Sequence, residues 1–168
     1  MASITKAFTA VAVMKLVEDG RLYLRQPVSS IIDEFDTDIH KAITIRQLLT
    51  HTAGLSADPG YFTEPYPMGW WHIAEGAKAM EQDISWIKAI LAGPLQAEPG
   101  EEWMYSSAGF CVLGEIVSRV LGVPAEDYIL QTIVEPLGMT RSFFDVPKEL
   151  HDRVCITNEW GDKRLESD

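Results

Sequence analysis

Two groups of residues carry the types and spacing for chemistry. Ser3 and Lys6 stand as Ser-x-x-Lys, and on a helix two residues three apart lie on one face within reach of each other. A hydroxyl beside an amine is the pairing of an activated serine nucleophile. An amine held out of water gives up its proton more readily and can then take the hydroxyl's. A helix start adds backbone N–H groups and a positive dipole end where an oxyanion would form. Far along the chain, Tyr105-Ser106-Ser107 sets a phenol and two hydroxyls on one turn.

The bland reading of Ser3 and Lys6, a helix cap followed by a solvated lysine, has equal standing from the motif alone, because short motifs recur by chance. A second copy, Ser85-Trp86-Ile87-Lys88, lies in an ordinary amphipathic pattern and reads as a cap, since nothing else in the chain supports Ser85 as a nucleophile. Other chemistries lack their residues: there is no G-x-S-x-G elbow, no H-E-x-x-H and no phosphate-cradling glycine loop. His40, His51, His72 and His151 have no metal-like spacing and read as surface or hydrogen-bonded structural histidines. No metal and no cofactor are expected.

The elements that must position these groups follow from periodicity and punctuation. Within residues 7–14 only Thr9 is polar, and a helix apolar all round is one buried on all sides. This helix is expected to begin at Ser3 and stop at Gly20. Pro27 suits the first position of a short helix over residues 28–35. Thr44 caps the next helix, from Ile45 through Leu49. Residues 56–82 form a long irregular stretch bearing Tyr61, Phe62, Tyr66, Trp70 and Trp71, which reads either as a pocket wall or as a satellite cluster packed on the domain. Asp83 caps a helix over residues 84–91. A longer helix runs from Ala108 to Leu121 and stops at Gly122. Another starts at Pro124 and ends before Pro136. Phe143 and Phe144 read as a buried anchor, and residues 154–157 as a lone strand. The fold class expected is mainly α.

Composition bounds the rest. The chain has 168 residues, 46% of them hydrophobic, enough to bury a core in one domain spanning residues 1–168. Its 25 acidic against 14 basic residues give a net charge of −11. With no basic stripe, nucleic acid and anionic membrane surfaces are poor partners. No apolar run reaches membrane-span length and no signal peptide precedes Ser3, and compartment stays open. Cys111 and Cys155 allow one disulfide or two free thiols.

Four segments together resemble the serine β-lactamase and penicillin-binding-protein superfamily, in its class C-like branch of esterases and D-aminopeptidases. They are Ser3-Ile4-Thr5-Lys6, Leu48-Leu49-Thr50-His51-Thr52-Ala53-Gly54-Leu55, Pro99-Gly100-Glu101-Glu102-Trp103-Met104-Tyr105-Ser106-Ser107 and Glu135-Pro136-Leu137-Gly138-Met139-Thr140. Each alone is modest, but in this order and at these separations they are specific. The resemblance implies that Ser3 is the acylated nucleophile, that Lys6 is its base, and that Tyr105 shares the base work and protonates the leaving group. It implies a small-molecule ester or amide as substrate. Ser107 occupies the substrate-contacting asparagine position of the family's Tyr-x-Asn turn, which lowers the case for β-lactam hydrolysis and favours ester chemistry.

Length is the larger departure. The family has strands before the nucleophile and a later strand carrying Lys-Thr-Gly or His-x-Gly, which supplies an oxyanion donor. This chain resembles the helical lobe of the β-lactamase/transpeptidase-like α/β fold with most of the sheet lobe missing. Two expectations follow. The first is a serine hydrolase incomplete as this chain, finished by a second chain or a swapped segment, and weak or inactive alone. The second is a non-catalytic helical module that binds a partner through the face the missing sheet would cover.

Overall fold

The computed structural model describes residues 2–55 and 85–155. A 3-10 turn, Ala2–Ile4, runs directly into helix α1, Thr5–Glu18. Ser3 therefore sits on the turn ahead of α1, one step outside the helix expected to start there. No side chain caps this end, because Ile4 already has helical φ and ψ and the 3-10 turn itself continues into the helix. Helix α2, Ile45–Leu49, begins with a capping box. The Thr44 hydroxyl accepts from the Gln47 N–H at 3.4 Å, and the Gln47 side-chain oxygen accepts from the Thr44 N–H at 2.8 Å, so two otherwise orphaned donors are satisfied.

Between α1 and α2 the expected helix over residues 28–35 is instead two 3-10 turns, Val28–Ser30 and Asp33–Phe35. The break falls where Ile32 turns extended, at φ −116° and ψ 98°. With this break Val28, Ile32 and Phe35 are all fully buried. Pro27 precedes the first turn in extended conformation and bridges antiparallel to Thr44. That bridge is the only β pairing among the described residues.

Helix α3, Trp86–Leu91, is capped by Ser85, whose hydroxyl accepts from the Lys88 N–H at 3.3 Å. The second Ser-x-x-Lys is thus a helix start. Asp83, expected as its cap, lies outside the described residues, as do the aromatic stretch over residues 56–82 and His72.

Helix α4, Ser107–Leu121, is the centre of the core. Ser106 caps its start by accepting from the Gly109 N–H, and Gly122 ends it in the left-handed region at φ +74°, where a Cβ would be strained. Its Val112, Leu113, Ile116 and Val117 are fully buried. They meet Ala12, Val13 and Leu16 of α1 on one side and Ile45 and Leu48 of α2 on another. Burying each such branched side chain stabilises the fold by roughly 1.5–3 kcal/mol. Helix α5, Ala125–Ile129, starts immediately after Pro124 and continues as a π-helical turn, Leu130–Val134. A last 3-10 segment spans Lys148–Arg153.

Two expectations are corrected, while helix α1 shows the uncovered face expected where the sheet would sit rather than burial on all sides: Ile4, Val11 and Met14 are 65%, 47% and 43% exposed, and Ala7 is exposed between them. Their spacing puts them on one stripe, opposite the face that meets α4. Phe143 and Phe144 are 40% and 42% exposed rather than a buried anchor, because they lie in turns and bends between Val134 and Lys148 that leave them at the surface. Val154 is extended but pairs with no strand among the described residues, and Ile156 and Thr157 lie outside them. Cys111 and Cys155 are both free thiols. No single described helix is long and apolar enough to cross a membrane.

Candidate active site

Lys6 stands at the meeting point of the chemistry-bearing residues. One turn into the chain from Ser3, its Nζ lies 3.2 Å from Ser3 Oγ and 2.8 Å from Ser107 Oγ. It also lies 4.7 Å from the centre of the Tyr105 ring and 5.9 Å from that of Phe110. Residues a hundred positions apart thus converge, because α1 and α4 pack side by side with both their N-termini at this point. Ser107, expected to touch substrate, here faces the lysine. A neutral amine flanked by two hydroxyls could accept a proton from Ser3, with the Ser3 O–H donating to Lys6 Nζ.

The Tyr105-Ser106-Ser107 turn is held from behind by the segment after α2. The Met104 N–H donates to the His51 carbonyl at 2.8 Å, and the Ser106 N–H donates to His51 Nδ1 at 3.1 Å. One residue therefore binds both sides of Tyr105. The His51 ring also stacks at a tilt on Tyr105 at 4.5 Å and on Phe110 at 5.1 Å, and meets Trp103 edge-on at 6.0 Å. Accepting from the Ser106 N–H leaves Nδ1 unprotonated, so the imidazole is the tautomer with its proton on Nε2.

His51 reaches this place by adopting φ +58°, the only non-glycine residue among those described with positive φ. Histidine tolerates that region better than most side chains. Immediately after it, the Gly100 N–H donates to the Thr52 carbonyl and the Gln96 N–H to the Gly54 carbonyl. Gly54 has φ +74°, and a Cβ there would lie 2.0 Å from the Ala97 carbonyl oxygen. Only glycine allows the two segments to approach this closely.

The remaining histidines are placed apart. His151 Nε2 is 2.9 Å from the Val146 carbonyl. His40 is buried, with Nδ1 2.9 Å from the Thr37 hydroxyl and Nε2 without a partner. Burial holds its pKa below the ordinary imidazole value. On the far side of α4, Arg119 reaches both Glu115 and Glu34. Its hydrogen bond holds the Glu34 carboxyl below the usual range. Among the described residues no cluster of histidine, cysteine and carboxylate side chains could hold a metal ion.

Sequence reasoning read His51 only as a structural histidine and gave Phe110 no part near the lysine. For His51 the signal was present, in a histidine between two threonines just past a helix end and three residues before a glycine. For Phe110 no sequence signal existed, since its position one turn into α4 is that of any core residue.

With this geometry in hand, likeness to known proteins is informative. The sequence matches the β-lactamase family over residues 1–165. It is 32% identical over 163 residues to protein flp of Staphylococcus aureus, covering 92% of this chain and 30% of that protein. It is 31% identical over 166 residues to the lovastatin esterase of Penicillium rubens, covering 89% of this chain and 40% of that enzyme. Among solved structures, the octameric penicillin-binding protein homologue from Pyrococcus abyssi superposes with a TM-score of 0.64 at 34% identity, covering 92% of this chain and 34% of that one. The chain therefore spans well under half the length of each of these relatives.

Proposed function

The chain belongs to the β-lactamase family, and on that premise we propose that it carries the nucleophile side of a serine hydrolase site acting on small esters or amides. The observation that supports this most directly is Lys6 Nζ within 3.2 Å of Ser3 Oγ, with Tyr105 against the same amine. In this reading Ser3 Oγ attacks the acyl carbonyl while its proton passes to Lys6. Tyr105 delivers a proton to the departing alkoxide or amine, leaving an acyl-Ser3 ester. Water, deprotonated through the same lysine and tyrosine, then attacks that ester and restores the Ser3 hydroxyl. The likeness to an esterase and the hydroxyl of Ser107 in place of an amide favour esters over β-lactams.

The reading includes incompleteness of the site and treats residues 1–168 as one partial domain. Acyl transfer needs two oxyanion donors fixed before reaction. Ser3 can offer its own N–H, whereas the family's second donor comes from the Lys-Thr-Gly or His-x-Gly strand, a motif that residues 1–168 do not carry. Lack of one such donor costs roughly 10²–10³ in turnover. The expected outcome is feeble hydrolysis of p-nitrophenyl acetate, no measurable β-lactam hydrolysis, and little change on Ser3→Ala. Efficient turnover abolished by Ser3→Ala would overturn the incompleteness.

A second reading is favoured by the apolar stripe on α1, Ile4, Ala7, Val11 and Met14. A helical module without catalysis would use that stripe to hold a partner, whether a second chain or a swapped segment. A fluorophosphonate probe separates the two. Label on Ser3, located by mass spectrometry, supports the hydrolase; its clean absence supports the binding module.

A further inference from the structure

Beside Thr50 and Thr52, the neighbours of His51 in the chain, lies a cleft of about 740 Å³ lined, among the described residues, by Arg25, Thr44, Arg46, Gln47, Thr50, Thr52 and Gly100. That volume falls in the range of small-molecule sites. Its walls are fixed by backbone bonds. The Arg46 N–H donates to the Leu24 carbonyl at 2.8 Å and the Ile45 N–H to the Gln26 carbonyl at 3.1 Å, which pins the Arg25 segment alongside the start of α2. The Gly100 N–H to the Thr52 carbonyl at 2.7 Å closes the other side.

The hydrogen-bonding groups of this cleft are sorted by type. Its side-chain acceptors are in part engaged internally. The Gln47 side-chain oxygen takes both the N–H and the hydroxyl of Thr44. The Thr50 hydroxyl donates to the Arg46 carbonyl at 2.9 Å, so at the 2.9 Å Thr50–Thr52 contact it is Thr52 that donates. Its donors are left over. Among the described residues, neither the Arg25 nor the Arg46 guanidinium has a hydrogen bond or ion pair, and the Gln47 amide nitrogen has none. Among the described residues no carboxylate lines the cleft, although the chain as a whole carries a net charge of −11.

A cleft whose described lining offers two unpaired guanidinium groups and an amide N–H, with the Gln47 oxygen already used, fits a ligand end rich in acceptors. We infer that it binds the oxyanion end of a small molecule, a carboxylate or a phosphate, separately from Ser3 and Lys6. Arginine forks suit both groups because each presents paired oxygens at matching spacing. The site rests on unspent donors and holds whether or not the chain hydrolyses anything.

The test is a titration of the ¹⁵N-labelled 168-residue chain with inorganic phosphate and, separately, with acetate, at constant ionic strength set by chloride. Saturable shifts of the Thr50, Thr52 and Gly100 amides and of the Gln47 side-chain amide are expected. Stronger saturation by phosphate assigns a phosphoryl ligand, and stronger saturation by acetate a carboxylate. Arg46→Gln and Arg25→Gln should each weaken binding roughly tenfold or more, the value of one charge-assisted hydrogen bond. Because neither side chain has an internal bond, both variants should keep the parent spectrum elsewhere. Arg141→Gln should bind like the parent. Absence of saturation by both anions, or saturation unchanged in the two arginine variants, would overturn the site.

Discussion

Tyr105 and Ser3 reach the same lysine from opposite kinds of support. The tyrosine turn hangs from His51 by bonds on both its flanks, has the imidazole stacked on its ring, and leads straight into the helix with the most buried residues among those described. Ser3 sits exposed on a 3-10 turn at the chain's start, with Lys6 as the side-chain partner of its hydroxyl. A reacting group gains from preorganisation only where its surroundings fix it. The helical lobe thus holds the Tyr105 turn at several points and presents Ser3 on a lightly held one.

The largest expected effect breaks the rigid side at its tightest point. Gly54→Ala would drive a Cβ into the Ala97 carbonyl and strain a left-handed residue, at a cost of about 3 kcal/mol or more. Urea unfolding should show a large loss of midpoint or no folded baseline, and a midpoint near that of the parent would mean the two segments are not held together as described. Next comes His51→Ala, which leaves the Ser106 N–H without its acceptor and removes the ring behind Tyr105. A loss of about 2 kcal/mol is expected, together with a change in the near-ultraviolet circular dichroism of the tyrosine and tryptophan. A neutral result would show that α4 alone fixes the turn.

A smaller effect probes the core away from the site, where His40 is buried with an unpartnered ring nitrogen. Its imidazole titrates lower in the folded protein than its ordinary value near 6.5. The unfolded chain therefore binds a proton that the folded one refuses, and stability is full above about pH 6.5 and falls as pH drops below it. Urea midpoints measured between pH 7.5 and about 5.5 should decline, and His40→Gln should flatten that decline; equal slopes would remove His40 as the cause. The smallest effect belongs to the loose side. Ser3→Ala, at an exposed turn, should change stability by no more than about 0.5 kcal/mol, and a larger loss would show the Ser3 turn to be as firmly built as the tyrosine turn.

Sequence alone determined what depends on neighbours along the chain. The Thr44 and Gln47 box, the Ser85 cap, the left-handed Gly122 and the start after Pro124 each satisfy or release backbone groups within a few residues, so residue type suffices to place them. The pairing of Ser3 with Lys6 is legible for the same reason, being one turn long. Tertiary structure decided what depends on partners far away. Ile32 breaks a helical stretch because Val28, Ile32 and Phe35 are drawn into one core from two turns. Ser107 meets Lys6, and His51 takes a left-handed backbone to hold Tyr105, because α1, α2 and α4 pack together across a hundred residues. Apolar periodicity gave α1 no polar face, yet only packing could say which of its stripes stays exposed, since hydrophobicity makes burial favourable without supplying the surface that does the burying.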